Sequence, residues 1–252
     1  MPTAEKQPSA AGEARLYCFP FAGAGPSLFH SWPTRLSEHL DVRPVQLPGR
    51  ERLIADTPFT GMSVAAANIA STIISEDGNH RPVVLFGHSM GAVLAYEVAR
   101  LLSADPSVVV IGLIVSGSPA PDRPRQVRAS RLSDEDFIER VNDLAGYRHP
   151  ALDHPEMRDL ILPALRADVQ MHEEYRPATF PRIDLPVWAV RGIDDALVSS
   201  ADAQGWSRFT SSTFEYVEVP GSHMYLTEDS GLTALDDLTR QLGRAPRTEP
   251  RA

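Results

Sequence analysis

The chain has 252 residues, of which 42% are hydrophobic and 23% charged, as in an ordinary globular protein. Its formal net charge of -9 argues against a general nucleic-acid-binding function. The single cysteine, Cys18, excludes an internal disulfide and a cysteine-rich metal site, and its apolar surroundings predict a buried core residue. No apolar run is long enough for a transmembrane helix, so we expect a cytoplasmic protein with no membrane association.

Strand-like and helix-like segments alternate along residues 15–242, between ends 1–14 and 243–252 that we expect to be flexible. This order predicts an α/β fold with a mostly parallel central sheet and helices on both faces. The predicted strands are Arg15–Phe19, Arg43–Leu47, Pro82–Phe86, Val108–Val115, Pro186–Val190 and Thr213–Val219. The predicted helices are a short one near Ser27–Leu40, then Ser63–Ser75, Met90–Leu102 and Leu232–Leu242.

The alternation stops between about residues 120 and 181, where two helical stretches replace it. One begins near Ser133, at a spacing typical of a capping box. The other covers about Glu156–Glu174, and we expect Pro163 to interrupt or kink it. We interpret this segment as a helical lid inserted into a single domain, 15–242, because it is short and has no linker or repeat of its own.

The segment Gly87–Gly91 has the pattern G-x-S-x-G and lies between an apolar strand and a helix-forming run. In this setting the pattern is typical of a nucleophile elbow, a tight turn that lifts a serine hydroxyl clear of the sheet. Glycines at both ends avoid a Cβ that would collide with the crossing strand and helix. We therefore predict Ser89 as the catalytic nucleophile, and we expect His88 to pack or form a hydrogen bond locally.

A serine nucleophile needs a base that a carboxylate orients. In a fold with this element order, the acid and then the histidine follow the serine, on loops after late strands. His223 directly follows the last predicted strand and is flanked by Gly221 and Ser222, so we predict it as the general base. The acid is either Asp194 or Asp195, and spacing alone does not choose between them.

The reaction also needs two backbone N–H groups directed at the developing negative charge. One is predicted to come from Met90, the residue after the nucleophile. The other is expected from the glycine-rich loop Phe19–Gly25, where small residues let the backbone approach the reacting carbonyl. The loop lacks the features of a phosphate or dinucleotide site, and no side-chain cluster has metal-ligand spacing, so we expect no cofactor and no metal.

Six motifs between the first strand and the last loop are together more specific than the elbow alone. They are Phe19-Pro20-Phe21-Ala22-Gly23, Leu47-Pro48-Gly49-Arg50-Glu51, Gly87-His88-Ser89-Met90-Gly91-Ala92, Leu165-Arg166-Ala167-Asp168, Gly192 to Val198, and Gly221-Ser222-His223. The set resembles the stand-alone type II thioesterases of polyketide and nonribosomal peptide assembly lines, over nearly all of Leu16–Leu242. Ala24 stands where that family often has glycine, and Met224 where it often has an aromatic residue, but neither change removes a catalytic group.

The resemblance implies an α/β-hydrolase fold and an enzyme that hydrolyses acyl groups from the phosphopantetheine arm of carrier proteins. Such an enzyme removes stalled or aberrant acyl units. The family's G-x-x-D-x-x-V pattern falls on Gly192, Asp195 and Val198, which implies Asp195 as the triad acid. Its second oxyanion donor falls on Ala22.

The partners implied are acyl or peptidyl carrier domains, and we expect the enzyme itself to be a monomer. A cluster of arginines at the entry to the lid suggests docking of an acidic carrier, although a solvated loop is the preferred interpretation. The cluster consists of Arg123, Arg125, Arg128 and Arg131. Arg166 and Asp168, two positions apart on a helix, are expected to anchor the lid through separate partners.

Two other functions remain open on the sequence. The same triad serves general carboxylester hydrolases and acyltransferases, because fold does not fix substrate. A carrier-binding module without catalysis is disfavoured because Ser89, His223 and the acidic loop are all present.

Overall fold

The computed structural model describes residues 14–36, 40–77, 81–123, 128–145, 150–177 and 179–242. The strands are β1 (Ala14–Phe19), β2 (Leu40–Pro44), β3 (Pro82–His88), β4 (Val109–Ser116), β5 (Val187–Gly192) and β6 (Phe214–Val219). The helices are α1 (Trp32–Arg35), α2 (Met62–Asp77), α3 (Met90–Leu102), α4 (Asp134–Ala145), α5 (Pro155–Glu173), α6 (Ser200–Gln204) and α7 (Asp229–Leu242). Ala14 begins β1, whereas the rest of the predicted flexible N-terminus and all of 243–252 lie outside the described residues.

The described strands form one sheet in the order β2-β1-β3-β4-β5-β6, and all neighbouring pairs are parallel. The predicted α/β fold with a parallel sheet is therefore confirmed. The chain adds β2 on one side of β1 and then continues with β3 on the other side, so the direction of winding reverses between β1 and β3. Ligands bind at such a reversal in open α/β sheets, beyond the carboxyl ends of the strands.

Side chains alternate between the two faces of the sheet, and each face has its own core. Tyr17 and Phe19 of β1 pack on one face together with α2 and α3. Leu16 and Cys18 pack on the other face with α1 and α7. Cys18 is completely buried, as predicted, and burial raises the pKa of its thiol.

The segment between β4 and β5 contains no strand within the residues described and carries α4 and α5. It has a small apolar cluster of its own, which includes Phe137 of α4 and Leu165 of α5. Helix α5 runs through Pro163 without interruption, whereas the kink expected there as the alternative stays a prediction. Pro163 lies on the exposed side, while Leu162 and Leu165 on the buried side hold the helix in place.

Two other predicted elements differ from the structure. The second strand covers Leu40–Pro44 rather than Arg43–Leu47, although the N–H of Val45 still donates to the carbonyl of Cys18 in β1 at 2.9 Å. The helix predicted near Ser27–Leu40 is split into a 3-10 turn, Pro26–Phe29, and the four-residue α1. Prolines near the start of both short segments favour two separate helix starts.

Candidate active site

Ser89 lies in a sharp turn between β3 and α3, with φ 54° and ψ -117°. This left-handed region is rarely adopted by residues with a side chain, so the turn is strained. A Cβ on Gly87 would lie 2.1 Å from the carbonyl oxygen of Gly91, and a Cβ on Gly91 would lie 2.4 Å from that of Phe19. The two glycines therefore allow the close backbone crossings that the elbow requires, as the sequence predicted.

His223 and Asp195 are brought together by the loops that follow β6 and β5. The Nδ1 atom of His223 lies 2.8 Å from Oδ2 of Asp195. The two loops cross so closely that a Cβ on Gly192 would lie 2.3 Å from the carbonyl oxygen of Ser222. The ring of His223 is 5.0 Å from the ring of His88, the residue before Ser89, so the pair lies directly beside the elbow.

Asp195 is the acidic residue of this loop that reaches the histidine. Its side chain is buried, and Oδ1 accepts hydrogen bonds from the N–H groups of Leu197 and Val198 at 2.8 and 3.1 Å. Burial by itself raises the pKa of Asp195, but the hydrogen bond and charge of His223, with these two N–H groups, outweigh it and lower the pKa. The side chain of Asp194 is exposed, and its backbone N–H donates a hydrogen bond to the carbonyl of Gly221.

His88 is buried beneath the site and, as expected, bonds locally. Its Nδ1 lies 2.7 Å from Oγ of Ser116, which in turn contacts the hydroxyl of Tyr225. Burial, followed by the nearby His223, lowers the pKa of His88 well below its usual value. His88 is therefore neutral near pH 7 and adds no positive charge next to His223.

The two predicted oxyanion donors lie on adjacent segments. Met90 is in the first turn of α3, and Ala22 is in the loop that follows β1. Phe19 at the end of β1 is paired with Gly87 at the end of β3, and the carbonyls of Phe19 and Pro20 both face Gly91. The reversal of the sheet between β1 and β3 thus places the loop of Ala22 against the elbow.

A buried ion pair that the sequence did not predict lies behind this loop. Arg50 and Asp168 make two parallel contacts, and Nη2 of Arg50 lies 2.8 Å from Oδ1 of Asp168. Oδ2 of Asp168 also accepts a hydrogen bond from the N–H of Gly23, at 2.8 Å. The sequence shows the two motifs that contain Arg50 and Asp168. Spacing does not predict that the two residues pair, because 118 positions separate them.

Arg166 and Asp168 have separate partners, as predicted. Nη2 of Arg166 lies 2.7 Å from Asp134 of α4, and its Nη1 bonds the carbonyls of Ser130 and Leu132. Arg166 therefore joins parts of the lid to one another, whereas Asp168 joins the lid to the rest of the domain.

The arginines at the lid entry are exposed where the structure describes them, and Arg125 lies outside the described residues. Arg123 lies 3.6 Å from Asp202, and Arg131 lies 3.8 Å from Glu174. These acidic neighbours reduce the positive charge available to a partner, so the solvated loop stays our preferred interpretation.

No group of three or more histidine, cysteine or carboxylate side chains in the described ranges is placed to hold a metal ion. That no cofactor is needed remains a prediction. Among the helices that the structure describes, none is both long and apolar enough to span a membrane.

Comparison with known proteins places this geometry in a family. The thioesterase domain model matches residues 14–242, from β1 to the end of α7. The chain belongs to the thioesterase domain family. The resemblance found in the sequence motifs is thereby confirmed, and so is the α/β-hydrolase fold.

Individual relatives of this thioesterase agree with the family match. It is 32% identical to the gramicidin S biosynthesis protein GrsT of Aneurinibacillus migulanus over 221 residues, 87% of this chain and 86% of that protein. It is 30% identical to the thioesterase PikA5 of Streptomyces venezuelae, over 88% of this chain and 78% of that one.

Solved structures give the same result. The RedJ thioesterase of the prodiginine pathway in Streptomyces coelicolor is 34% identical, with a TM-score of 0.82 over 97% of this chain and 91% of RedJ. The type II thioesterase BorB from the borrelidin biosynthetic cluster is 32% identical, with a TM-score of 0.83 over 94% of this chain and 96% of BorB.

Proposed function

We propose that this thioesterase hydrolyses acyl groups from the phosphopantetheine arm of carrier proteins in polyketide or nonribosomal peptide biosynthesis, and so removes stalled or aberrant acyl units. The observation that carries the proposal is the buried Asp195–His223 pair, 2.8 Å apart, beside the strained elbow of Ser89. The names of GrsT, PikA5, RedJ and BorB, which all refer to such pathways or to thioesterases, support the choice of substrate.

In the first half of the proposed reaction, Nε2 of His223 takes the proton of the Ser89 hydroxyl, and Oγ attacks the thioester carbonyl carbon. The N–H groups of Met90 and Ala22 hold the resulting oxyanion. The carbon–sulfur bond then breaks, and His223 returns the proton to the leaving thiolate. The acyl group is left on Ser89 as an ester.

In the second half, His223 removes a proton from a water molecule, which attacks the ester of the acyl-enzyme. Collapse of the second oxyanion releases a free carboxylic acid and restores the proton to Ser89. Asp195 stays ionised throughout, because its pKa is lowered, and it stabilises the positive charge that His223 acquires in each half.

The lid above the site is proposed to form the acyl pocket and to limit the size of the chain. Its helix α5 packs against the loop of Ala22, because Leu165 lies against Gly23 and Asp168 bonds to the Gly23 N–H. An acyl group bound to Ser89 would thus be covered by the lid and shielded from bulk water.

The test compares one acyl group presented in three ways: on a carrier protein, on coenzyme A and as a simple ester. We expect the highest kcat/KM with the carrier-bound thioester and no turnover by Ser89→Ala. A simple ester hydrolysed with equal or higher kcat/KM would indicate a general carboxylester hydrolase, and transfer to an acceptor other than water would indicate an acyltransferase. Binding of the carrier without any hydrolysis would indicate a noncatalytic module.

A further inference from the structure

The loop that carries the proposed oxyanion donor Ala22 is held by two charged side chains from other parts of the chain. The N–H of Gly23 donates to Oδ2 of Asp168 at 2.8 Å. The carbonyl of Ala24 accepts from Nη1 of Arg50 at 3.1 Å. Both residues that follow Ala22 are therefore fixed by side chains that themselves form an ion pair.

This ion pair is almost completely buried. Arg50 is 6% exposed and Asp168 is 1% exposed, and they are joined by two parallel hydrogen bonds. Arg50 also bonds the carbonyl of Pro48 through Nε and Nη2, both at 3.3 Å. Only a planar guanidinium offers these donors in a fixed fork, so a lysine cannot replace it.

The pair connects three segments that are far apart in the sequence. Arg50 lies in the segment after β2, Asp168 lies on helix α5 of the lid, and the loop that both contact follows β1. One turn before Asp168, Leu165 packs so closely beneath the loop that a Cβ on Gly23 would lie 2.8 Å from its Cδ1. The position of the loop thus depends on the position of α5.

We propose that Arg50 and Asp168 are positioning residues that set the backbone N–H of Ala22 for the oxyanion and tie its position to the lid helix. They act through Gly23 and Ala24. The inference rests on the proposed serine-hydrolase chemistry, though not on the identity of the acyl carrier. A displaced donor weakens binding of the oxyanion more than binding of the uncharged substrate, so the effect falls on kcat rather than on KM.

The principal variant is Asp168→Asn, which keeps the size of the side chain and removes its charge. We expect kcat to fall by about 10- to 100-fold, less than the full loss of one oxyanion donor, while KM changes by less than about threefold. Arg50→Lys keeps the charge but loses the fork, and it should show the same pattern.

Glu173→Gln is the matched control. Glu173 lies on the same helix and is also buried, and its carboxylate accepts hydrogen bonds from the N–H groups of Ala129 and Ser130. These contacts join lid segments to one another and do not involve the loop of Ala22. Glu173→Gln should lower the melting temperature, as Asp168→Asn does. It should nevertheless leave kcat close to that of the unaltered enzyme.

Removal of one charge leaves the other buried without a partner, which can unfold the protein. The double variant Arg50→Gln with Asp168→Asn removes both charges, and we expect it to be more stable than Asp168→Asn alone. If the pair positions the loop, kcat stays low in this variant although stability is recovered.

The decisive readout is inhibition by an alkyl boronic acid, which forms a tetrahedral adduct on a catalytic serine and so resembles the transition state. In the Asp168 and Arg50 variants its inhibition constant should rise by the same factor by which kcat falls. Both quantities are measured with a p-nitrophenyl acyl ester as the substrate, in place of a carrier-bound thioester. Unchanged kcat and boronate affinity in folded Asp168→Asn and Arg50→Lys would overturn the proposal. Because the ester assay needs no carrier protein, failure to hydrolyse carrier-bound thioesters would overturn the proposed function alone.

Discussion

At the scale of the single residue, Ser89 is kept in a strained conformation by its neighbours. With φ at 54° and ψ at -117°, its backbone is one that a serine seldom adopts. Gly87 and Gly91 contact backbone so closely that no Cβ fits at either position, and the Ser89 N–H is bonded to the carbonyl of Ser116 at 2.8 Å. The packing around the turn thus fixes where the hydroxyl is presented.

Ser89→Ala is expected to lower kcat for thioester hydrolysis by at least about 1,000-fold, because no other group supplies the nucleophile. The backbone contacts of the turn do not involve the hydroxyl, so the melting temperature should change little. Turnover and thermal unfolding by circular dichroism measure the two effects. Substantial remaining activity would show that Ser89 is not the nucleophile.

His88 predicts a pH dependence of stability. It is fully buried among Phe21, Ser116, Tyr225 and His223, and its pKa lies well below the usual 6.5. Below about pH 6.5 the unfolded chain binds a proton that folded His88 does not, so the free energy of unfolding falls by up to about 1.4 kcal/mol per pH unit. This contribution to stability is present above pH 6.5 and is lost as the solution becomes more acidic.

Replacement of His88 by asparagine tests this dependence. The variant is less stable than the unaltered protein near pH 7, because the contact with Ser116 is changed. It lacks the buried imidazole, however, so the difference in free energy of unfolding should narrow between about pH 7 and about pH 5. Urea unfolding at several pH values gives the difference, and a constant gap would contradict the assignment.

At the scale of the element, α3 begins against β1 and the loop after it, which carries the proposed oxyanion donor Ala22. Replacement of a glycine within a helix by alanine usually raises the free energy of unfolding, by up to about 1 kcal/mol. At Gly91 a Cβ would lie 2.4 Å from the carbonyl oxygen of Phe19 and 2.5 Å from that of Pro20. Gly91→Ala should therefore lower the free energy of unfolding by about 1–3 kcal/mol, measured by urea denaturation.

Gly61→Ala is the control for this substitution. Gly61 precedes α2, and the nearest atom to an added Cβ there is Cγ2 of Val64, at an ordinary contact distance of 3.7 Å. We expect the free energy of unfolding of the Gly61→Ala variant to stay close to that of the unaltered protein. If Gly91→Ala also leaves the free energy of unfolding unchanged, the result contradicts the close approach of α3 to β1.

The elements that the sequence predicts well are those buried on both sides. The strands β3, β4 and β5 are nearly continuous apolar runs, so their pattern alone indicates their place in a parallel sheet. The errors fall at prolines, where local chemistry competes with tertiary packing. The edge strand β2 ends at Pro44, whereas α5 continues through Pro163, which lies on the exposed side of the helix.

At the scale of the whole molecule, the site is assembled from loops at the carboxyl ends of four strands. These are the loop of Ala22 after β1, the elbow after β3, the Asp195 loop after β5 and the His223 loop after β6. In a parallel sheet these ends share one edge, so the order of the motifs along the chain was sufficient to predict all four loops. The resemblance to a family was needed to select Asp195 and Ala22.

The Arg50–Asp168 ion pair could not be predicted from the sequence. Each residue lies in a recognisable motif, but an ion pair between a segment after β2 and a lid helix depends on how the lid is placed. Neither periodicity nor spacing contains that information, since 118 positions separate the two side chains. The three-dimensional structure was necessary to show that one lid carboxylate, that of Asp168, contacts the loop of Ala22.

The central claim is that Ser89 takes an acyl group from a carrier protein. The most direct measurement is rapid quenching of the enzyme with a carrier that bears an isotopically labelled acyl group, followed by peptide mass spectrometry. We predict the label on the peptide that contains Ser89, followed by release of the free acid, and neither event with Ser89→Ala. Deacylation of the carrier by Ser89→Ala at an undiminished rate, or label on another residue, would contradict the account.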